Sequence, residues 1–155
     1  LIEKCKIKKY KKKYLLLYSR SYDPEMVRFA DRIAKEKNLN VIEISLRATN
    51  FYKHKMAYNT GVEEFLSLVK HAKYIVTNSY HGGIFSIQYR KNFYIFSRNH
   101  CDQKIEFLLE RIGLKNRLME KDQECNYTPI NYDRVWGKIM PLKKISINYL
   151  ERTLL

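Results

Sequence analysis

The chain has 155 residues, of which 45% are hydrophobic, and this composition excludes a disordered protein. Thirty Lys and Arg residues against sixteen Asp and Glu residues give a formal charge of +14, which favours anionic partners: nucleic acid, an anionic membrane or a small phosphorylated or carboxylated ligand. No apolar run approaches the roughly 18 residues that span a bilayer, so we expect a soluble domain. The three cysteines, Cys5, Cys101 and Cys125, are widely spaced, which predicts neither a disulfide nor a metal site and favours a reducing, cytoplasmic setting.

The beginning of the chain is dominated by lysine. Residues 4–13 contain seven lysines just before the first apolar run. We interpret residues 1–13 as a basic linker and residues 14–155 as one domain. The linker is either a solvated segment or a contact to an anionic membrane, where each lysine adds about 1 kcal/mol. Because the sequence begins with Leu and carries no signal-peptide pattern, we expect it to be the carboxyl-terminal half of a longer protein.

The first structural unit predicted is a strand, a helix and a second strand. Residues 14–18 form an apolar strand-length run, after which Asp23 supplies a helix N-cap and Pro24 suits the first helical position. Residues at three-and-four spacing predict one buried helix face: Met26, Phe29, Ala30, Ile33 and Ala34. Residues 41–44 then indicate a second strand, and a β-α-β unit of this kind implies parallel pairing.

A surface loop and a second helix follow. Residues 46–59 are polar and aromatic without a clear period, and we interpret them as a loop beside a ligand site. The segment Thr60-Gly61-Val62-Glu63 fits a capping box for a helix that ends near His71. Its predicted buried face consists of Val62, Phe65, Leu66 and Val69.

The rest of the chain continues the alternation. Residues 74–77 predict a strand buried on both faces, residues 84–87 a short helix, residues 93–96 a strand, and residues 105–112 a helix stopped by Gly113. Two closing helices are predicted over 133–140 and 142–154, with core candidates Val135, Ile139, Met140, Leu150 and Leu154. The fold class predicted is therefore α/β, with a Rossmann-like open parallel sheet flanked by helices.

The strongest functional signal is the turn after the strand at 74–77, which reads Asn78-Ser79-Tyr80-His81-Gly82-Gly83. Ligands of open parallel sheets bind beyond the carboxyl ends of the strands, and amides at a helix N-terminus bind anions. We predict that Ser79 and the amides of Gly82 and Gly83 hold a phosphate, with Asn78 capping the helix or orienting His81. A histidine titrates near neutral pH, so His81 is the candidate proton donor or phosphate contact.

A second set of candidates follows the strand at 93–96. Arg98 is placed to hold a carboxylate or phosphate in the same crevice, and His100 is placed to reach it. The alternative is that Arg98 is an exposed ion-pairing residue and that the turn at 78–83 only satisfies its own backbone. His54 and His71 lack such a setting, and His71 suits a helix end. The many tyrosines either line a sugar-binding groove or pack as half-buried side chains.

These residues resemble the carboxyl half of the polysaccharide pyruvyl transferase family. The family has a helix of the type Glu-Phe-Leu-x-Leu-Val/Ile-Lys followed by Ala-Lys/Asp-Tyr-Val/Ile-Val-Thr-Asp-Ser-Phe-His-Gly, and residues 64–82 are similar to this pattern. Residues 104–117 are similar to its Arg-Ile-x-x-Leu-Leu-x-x-Leu-Gly-Leu-x-x-Arg stretch, and residues 132–135 and 146–154 to its closing helices. Two departures are Asn78 in place of the usual Asp and Tyr80 in place of the usual Phe.

The resemblance implies a two-domain transferase similar to the GT-B glycosyltransferases, with this chain as the carboxyl-terminal lobe. Its reaction would transfer a pyruvyl group from phosphoenolpyruvate, the donor, to two hydroxyls of a sugar on a glycan or lipid-linked saccharide. His81 would donate a proton or contact phosphate, and Asn78, Ser79, Gly82, Gly83 and Arg98 would bind the donor. No cofactor is implied, the missing amino-terminal lobe is a partner, and the lobe alone is expected to bind donor weakly without turnover.

Two alternatives remain open at the level of sequence. A GT-B-type glycosyltransferase lobe with a nucleotide-sugar donor would use the same crevice. A non-catalytic basic module would bind membrane or nucleic acid with a steep salt dependence. We favour the transferase, expect no nucleic-acid partner, and place it in the cytoplasm with a peripheral contact to the inner face of an anionic membrane.

Overall fold

A computed structural model of the chain describes residues 12–47, 49–58, 60–98, 103–119 and 127–154. The strands are β1 Tyr14–Ser19, β2 Asn40–Ser45, β3 Lys55–Met56, β4 Tyr74–Thr77, β5 Asn92–Phe96 and β6 Leu118–Met119. The helices are α1 Pro24–Glu36, α2 Val62–His71, α3 Tyr80–Gln88, α4 Gln103–Ile112 and α5 Tyr132–Leu154, with a 3-10 turn at Lys115–Arg117. Residues 1–11 of the basic linker predicted at 1–13, the three cysteines and His100 lie outside the described residues.

The strands form one parallel sheet in the order β3-β2-β1-β4-β5-β6. Helix α1 packs on one face, where its apolar residues meet Leu15, Leu17 and Val76. Helices α2 to α5 contribute to the core on the other face, around Leu16 and Ile75. Successive residues of a strand therefore pack into cores on opposite faces of the sheet, as predicted for 74–77. The predicted Rossmann-like α/β class is confirmed.

The start of α1 forms as the sequence predicts. The Asp23 carboxylate accepts hydrogen bonds from the amides of Glu25 (2.9 Å) and Met26 (3.3 Å), and Pro24 occupies the first helical turn. The whole predicted apolar face of this helix is buried. Helix α4 also ends as predicted, because Gly113 adopts a φ of 76°, a left-handed conformation that closes a helix without a Cβ clash.

The interpretation of residues 46–59 as a surface loop is wrong in two respects. The two residues Lys55 and Met56 pair in parallel with Ile42 and Glu43 and extend the sheet by β3. In addition, Asn50 and His54 are buried, so this segment also contributes polar groups to the interior. His54 thus lies outside the turn at 78–83 but is buried among polar groups, and His71 ends α2, where its Nδ1 donates to the carbonyl of Ser67 (2.8 Å).

The predicted capping box at the start of α2 does not form. The Thr60 hydroxyl donates instead to the carbonyl of Ala57 (2.8 Å), and the N-cap is Gly61, which has no side chain to accept from the helix. Val62 was expected in the core, but 75% of it is exposed, because it is the first residue of the helix, whereas the buried residues Leu68 and Val69 lie in the later turns.

The two closing helices are a single helix, α5, which continues through Pro141. A proline removes one helical hydrogen bond, which here is the one to the carbonyl of Gly137, four residues earlier. Val135 is buried and Ile139 packs against the core, but Met140 and Leu150 are more than half exposed, which corrects their prediction as core residues. Within the described ranges, no helix has the length and apolarity needed to cross a membrane.

Candidate functional site

The carboxyl ends of β1 and β4 form the crevice of this sheet. The two strands are neighbours, yet β1 leads into α1 on one face and β4 leads into α3 on the other. The connections therefore diverge and leave a gap between them, which is where open α/β sheets bind ligands. The sequence-predicted turn at 78–83 follows β4 and lies at this edge, which we call the carboxyl edge.

Asn78 joins the two sides of the crevice. Its Oδ1 accepts a hydrogen bond from the amide of Arg20 (2.8 Å), and its Nδ2 donates to the carbonyl of Ser21 (2.6 Å). Asn78 is buried, and both polar atoms of its side chain are engaged by the loop after β1. It therefore neither caps α3 nor orients His81, which corrects both predicted roles.

The N-cap of α3 is Ser79. Its hydroxyl accepts from the amide of Gly82 at a long 3.4 Å, and its carbonyl accepts from the amide of Gly83 at 3.0 Å. Its own amide donates to the Thr77 hydroxyl (3.0 Å). The two glycine amides are thus already bonded within the protein, so the prediction that they cradle a phosphate is wrong in this detail.

The glycines serve helix packing instead of ligand approach. A Cβ on Gly82 would lie 2.6 Å from Thr77 Oγ1, and one on Gly83 would lie 2.6 Å from Ile95 Cδ1. Only residues without a side chain allow α3 to lie this close to β4 and β5. The first helical amides, those of Tyr80 and His81, have no acceptor among the described residues, as expected for the first turn of a helix.

His81 is exposed at the start of α3, and its ring meets the Tyr80 ring edge-on at a centroid distance of 5.7 Å. The imidazole is therefore open to solvent and to a ligand at the carboxyl edge. Ser79, in contrast, is buried and engaged in capping, so its hydroxyl is less available to a phosphate than the sequence suggests.

A cleft of about 680 Å³ opens beside this turn, on the side of α1. Of the predicted site residues it brings together Asn78 and Arg98, while Ser79, His81, Gly82 and Gly83 do not line it. The remaining lining comes from the loop after β1, the start of α1 and the ends of β5 and β6.

Among the described residues that line the cleft, Arg98 is the one that carries a positive charge. It is half-buried, and its Nε is buried without a hydrogen-bond partner among the described residues. A guanidinium in this state is suited to a carboxylate or phosphate, since an anion would satisfy the free N–H. The alternative prediction, an exposed ion-pairing arginine, does not describe this environment.

Two acids of the cleft were not recognised as site residues from sequence. Asp23 and Glu25, at the start of α1, line the cleft with Ser21 and Tyr22. Their signal in the sequence was the capping pattern, which predicts a helix start but does not show what the helix start faces. Carboxylates and hydroxyls bind sugar hydroxyl groups well, so the cleft combines one anion-binding group with groups suited to a sugar.

Within the described residues, no group of three or more His, Cys, Asp or Glu side chains is arranged to hold a metal ion.

Comparison with known proteins places these features in a family. The sequence model described as polysaccharide pyruvyl transferase matches residues 2–100, which is more than half of the chain and includes both the turn at 78–83 and Arg98. None of the curated proteins gives a significant match to the chain. The similarities noted at 104–117 and in the closing helix lie beyond the matched range.

Proposed function

This chain belongs to the polysaccharide pyruvyl transferase family, and we propose that it is the donor-binding lobe of such a transferase. The donor proposed is phosphoenolpyruvate, and the acceptor is a pair of hydroxyls on a glycan or lipid-linked saccharide. The observation that carries the proposal is the common position of Arg98 and the start of α3. Both follow adjacent strands, β5 and β4, and both fall within the family match.

Phosphoenolpyruvate has two anionic groups, and the carboxyl edge offers two groups that can bind anions, a guanidinium and a helix N-terminus. Neighbouring strands lie about 4.8 Å apart, so groups following β4 and β5 open on one surface. Arg98 would hold the carboxylate, and the free amides of Tyr80 and His81 at the positive end of the helix dipole would face the phosphate. Ser79 would support the phosphate only by keeping this helix start in place.

The reaction is a ketal formation. A proton added to the methylene carbon of the donor makes it a methyl group and leaves positive charge on the adjacent carbon, which a sugar hydroxyl attacks. The second hydroxyl forms the second C–O bond as the bond to phosphate breaks. The two hydroxyl protons balance the one that the methyl group gains and the one that leaves with phosphate. His81, exposed at this edge, is the proposed proton donor.

A further lobe is part of the proposal, and α5 supports it. Beyond Pro141 this helix leaves the domain core, and it exposes the apolar side chains of Ile145, Ile147, Tyr149 and Leu150. We propose that the amino-terminal lobe covers this exposed part of α5 and supplies the acceptor side of the active site. The enzyme would act in the cytoplasm at an anionic membrane surface, without a cofactor.

The test is a calorimetric titration of the chain with phosphoenolpyruvate and with several nucleotide sugars. We expect binding of phosphoenolpyruvate that Arg98→Gln weakens about tenfold or more, because a charge-assisted hydrogen bond contributes about 1.5–3 kcal/mol. Arg152→Gln, on the exposed end of α5, removes the same charge far from the cleft and should not change the affinity. Equal weakening by both variants would reduce the site to non-specific attraction by net charge.

The cleft also supports a second candidate, the lobe of a glycosyltransferase with a nucleotide-sugar donor. Its volume exceeds the needs of phosphoenolpyruvate alone, and the carboxylates of Asp23 and Glu25 are suited to ribose hydroxyls. Binding of nucleotide sugars but not of phosphoenolpyruvate would establish this candidate and refute the pyruvyl donor. A basic interaction module, in turn, would bind anionic vesicles in a salt-sensitive manner whether or not His81 is replaced by Ala.

A further inference from the structure

Four side chains of alternating charge form a line between the sheet and solvent on the α1 side. Glu43 Oε2 lies 2.5 Å from His54 Nδ1, and His54 Nε2 lies 2.7 Å from Asp31 Oδ1. Asp31 Oδ2 in turn accepts from Lys53 Nζ at 2.6 Å. The four residues come from β2, α1 and the segment 49–54, so the line ties that segment to two elements of the core.

The inner half of this line is removed from water. Glu43 is 1% exposed and the His54 side chain 2%, whereas Asp31 and Lys53 are each about one-third exposed. Asn50 completes the inner end, because its Nδ2 donates to both carboxylate oxygens of Glu43, at 3.2 and 3.0 Å. The Asn50 carbonyl also accepts from the amides of Lys53 and His54, which closes the segment into a tight turn.

The geometry determines the charge on His54. Both ring nitrogens face carboxylate oxygens, and an ionised carboxylate can only accept hydrogen bonds. A neutral imidazole has one N–H donor, so one of the two carboxylates would face the lone pair of the unprotonated ring nitrogen. The imidazolium donates to both carboxylates. Burial acts against this charge, but the hydrogen bonds to Glu43 and Asp31 prevail and raise the pKa of His54 above its ordinary value of 6.5. Burial likewise opposes ionisation of Asp31, but Lys53 and His54 lower its pKa.

We propose that Glu43, His54, Asp31 and Lys53 form a pH-dependent latch, which fixes segment 49–54 against α1 while His54 is an imidazolium and releases it when that proton is lost. The segment carries Phe51 and Tyr52, two exposed rings in edge-on contact at 6.1 Å, and the latch thus controls how rigidly this aromatic pair is presented. The proposal does not depend on the function proposed for the carboxyl edge.

The other charged groups near the latch do not replace His54. On α1, Arg28 and Lys35 lie one turn before and after Asp31, and both are exposed to solvent. On β3, Lys55 pairs in register with Ile42, whose side chain belongs to the opposite core from the face on which Glu43 lies. Loss of the His54 proton would therefore leave the buried Glu43 with the neutral amide of Asn50 as its side-chain hydrogen-bond donor among the described residues.

The direction of the pH effect follows from the raised pKa of His54. The stabilisation of the segment is complete below pH 6.5, the ordinary value, and it is lost as the pH rises through the pKa of the folded chain. The change is expected above pH 6.5 and confined at first to segment 49–54, because the hydrophobic cores do not titrate.

The test combines ¹⁵N NMR of the histidine rings with hydrogen exchange of the 155-residue chain between pH 6 and 9.5. We expect both ring nitrogens of His54 to be protonated at pH 6.5. We further expect that exchange of 49–54, corrected for intrinsic rates, rises at least tenfold relative to β4 as His54 titrates. His54→Gln should abolish this pH dependence, whereas His71→Gln, at the end of α2, should retain it.

The titration of the His54 ring in the wild-type chain tests the latch without any variant, so the test holds even if the His54 variant does not fold. A His54 ring that is neutral at pH 6.5 would overturn the latch, since one carboxylate would then face a lone pair. Exchange in 49–54 that does not follow the His54 titration would also overturn it.

Discussion

Replacement of Gly82 by Ala tests whether α3 rests directly on β4. The added methyl would lie 2.6 Å from Oγ1, 3.0 Å from Cγ2 and 3.1 Å from Cβ of Thr77, which is fully buried. Thr77 has little freedom to move, because its hydroxyl donates to the carbonyl of Tyr18 (2.7 Å) and accepts from the amide of Ser79. The methyl therefore has to displace either the helix or a side chain that holds β1, β4 and the α3 N-cap together.

The expected loss is about 2–4 kcal/mol in the free energy of unfolding. Overpacking costs about 1–3 kcal/mol, and the two hydrogen bonds of Thr77 are worth about 0.5–1.5 kcal/mol each. The higher helix propensity of Ala offsets up to about 1 kcal/mol of this loss. Urea unfolding monitored by circular dichroism measures the difference, provided that the m-value is unchanged.

Gly137→Ala is the matched control. Gly137 lies in the interior of α5, and a Cβ at this position would have no atom within 4 Å apart from the neighbouring backbone of its own helix. The same substitution should there stabilise the chain by about 0.5–1 kcal/mol, through helix propensity alone. If Gly82→Ala also left the stability unchanged or raised it, the close packing of α3 on Thr77 would be refuted.

The remaining predictions concern Asn78 and Tyr132. Asn78→Asp introduces the residue usual in the family, yet it should lower the free energy of unfolding by about 1–3 kcal/mol at neutral pH, because a carboxylate oxygen would then face the carbonyl of Ser21. In urea unfolding, this loss should become smaller in acid, where the carboxylate is protonated. A variant as stable as wild type at pH 7 would contradict the observed hydrogen bonds of Asn78. Burial raises the pKa of Tyr132 well above its ordinary value of 10.0, against the opposing charge of Arg117, so the free energy of unfolding should fall as the pH rises above 10. In an ultraviolet titration, Tyr132→Phe should show one tyrosine fewer than wild type that ionises only on unfolding, whereas Tyr149→Phe, which removes an exposed ring, should show the same number as wild type.

The larger elements could be predicted because each is long enough to carry its own periodic signal. The buried face of α1 and its Asp23 cap repeat over several turns, and β4 is an uninterrupted apolar run between two polar ends. The two-residue strands β3 and β6 carry no such signal, since two residues cannot show alternation. They form only because β2 and β5 present free edges for pairing.

The candidate site was predictable in position but not in the role of each residue. A glycine after a strand is equally consistent with a ligand near the backbone and with a helix packed near a strand, and only the Thr77 and Ile95 contacts distinguish them. The latch at His54 was missed for a related reason. Its partners Asp31 and Glu43 lie on other elements, 23 and 11 residues away in sequence, so no local pattern connects them.

The position of Asn78 decides how the proposed donor would lie at the carboxyl edge. Asn78 lines the cleft that contains Arg98, and it also directly precedes the N-cap of α3, where His81 is exposed. A ligand that used both Arg98 and the start of α3 would therefore pass across Asn78. Because the backbone of Arg20 and Ser21 already engages its Oδ1 and Nδ2, we expect Asn78 to hold the loop after β1 in position and not to bind the phosphate. Its replacement should accordingly alter stability before it alters donor affinity, whereas replacement of Arg98 should do the reverse.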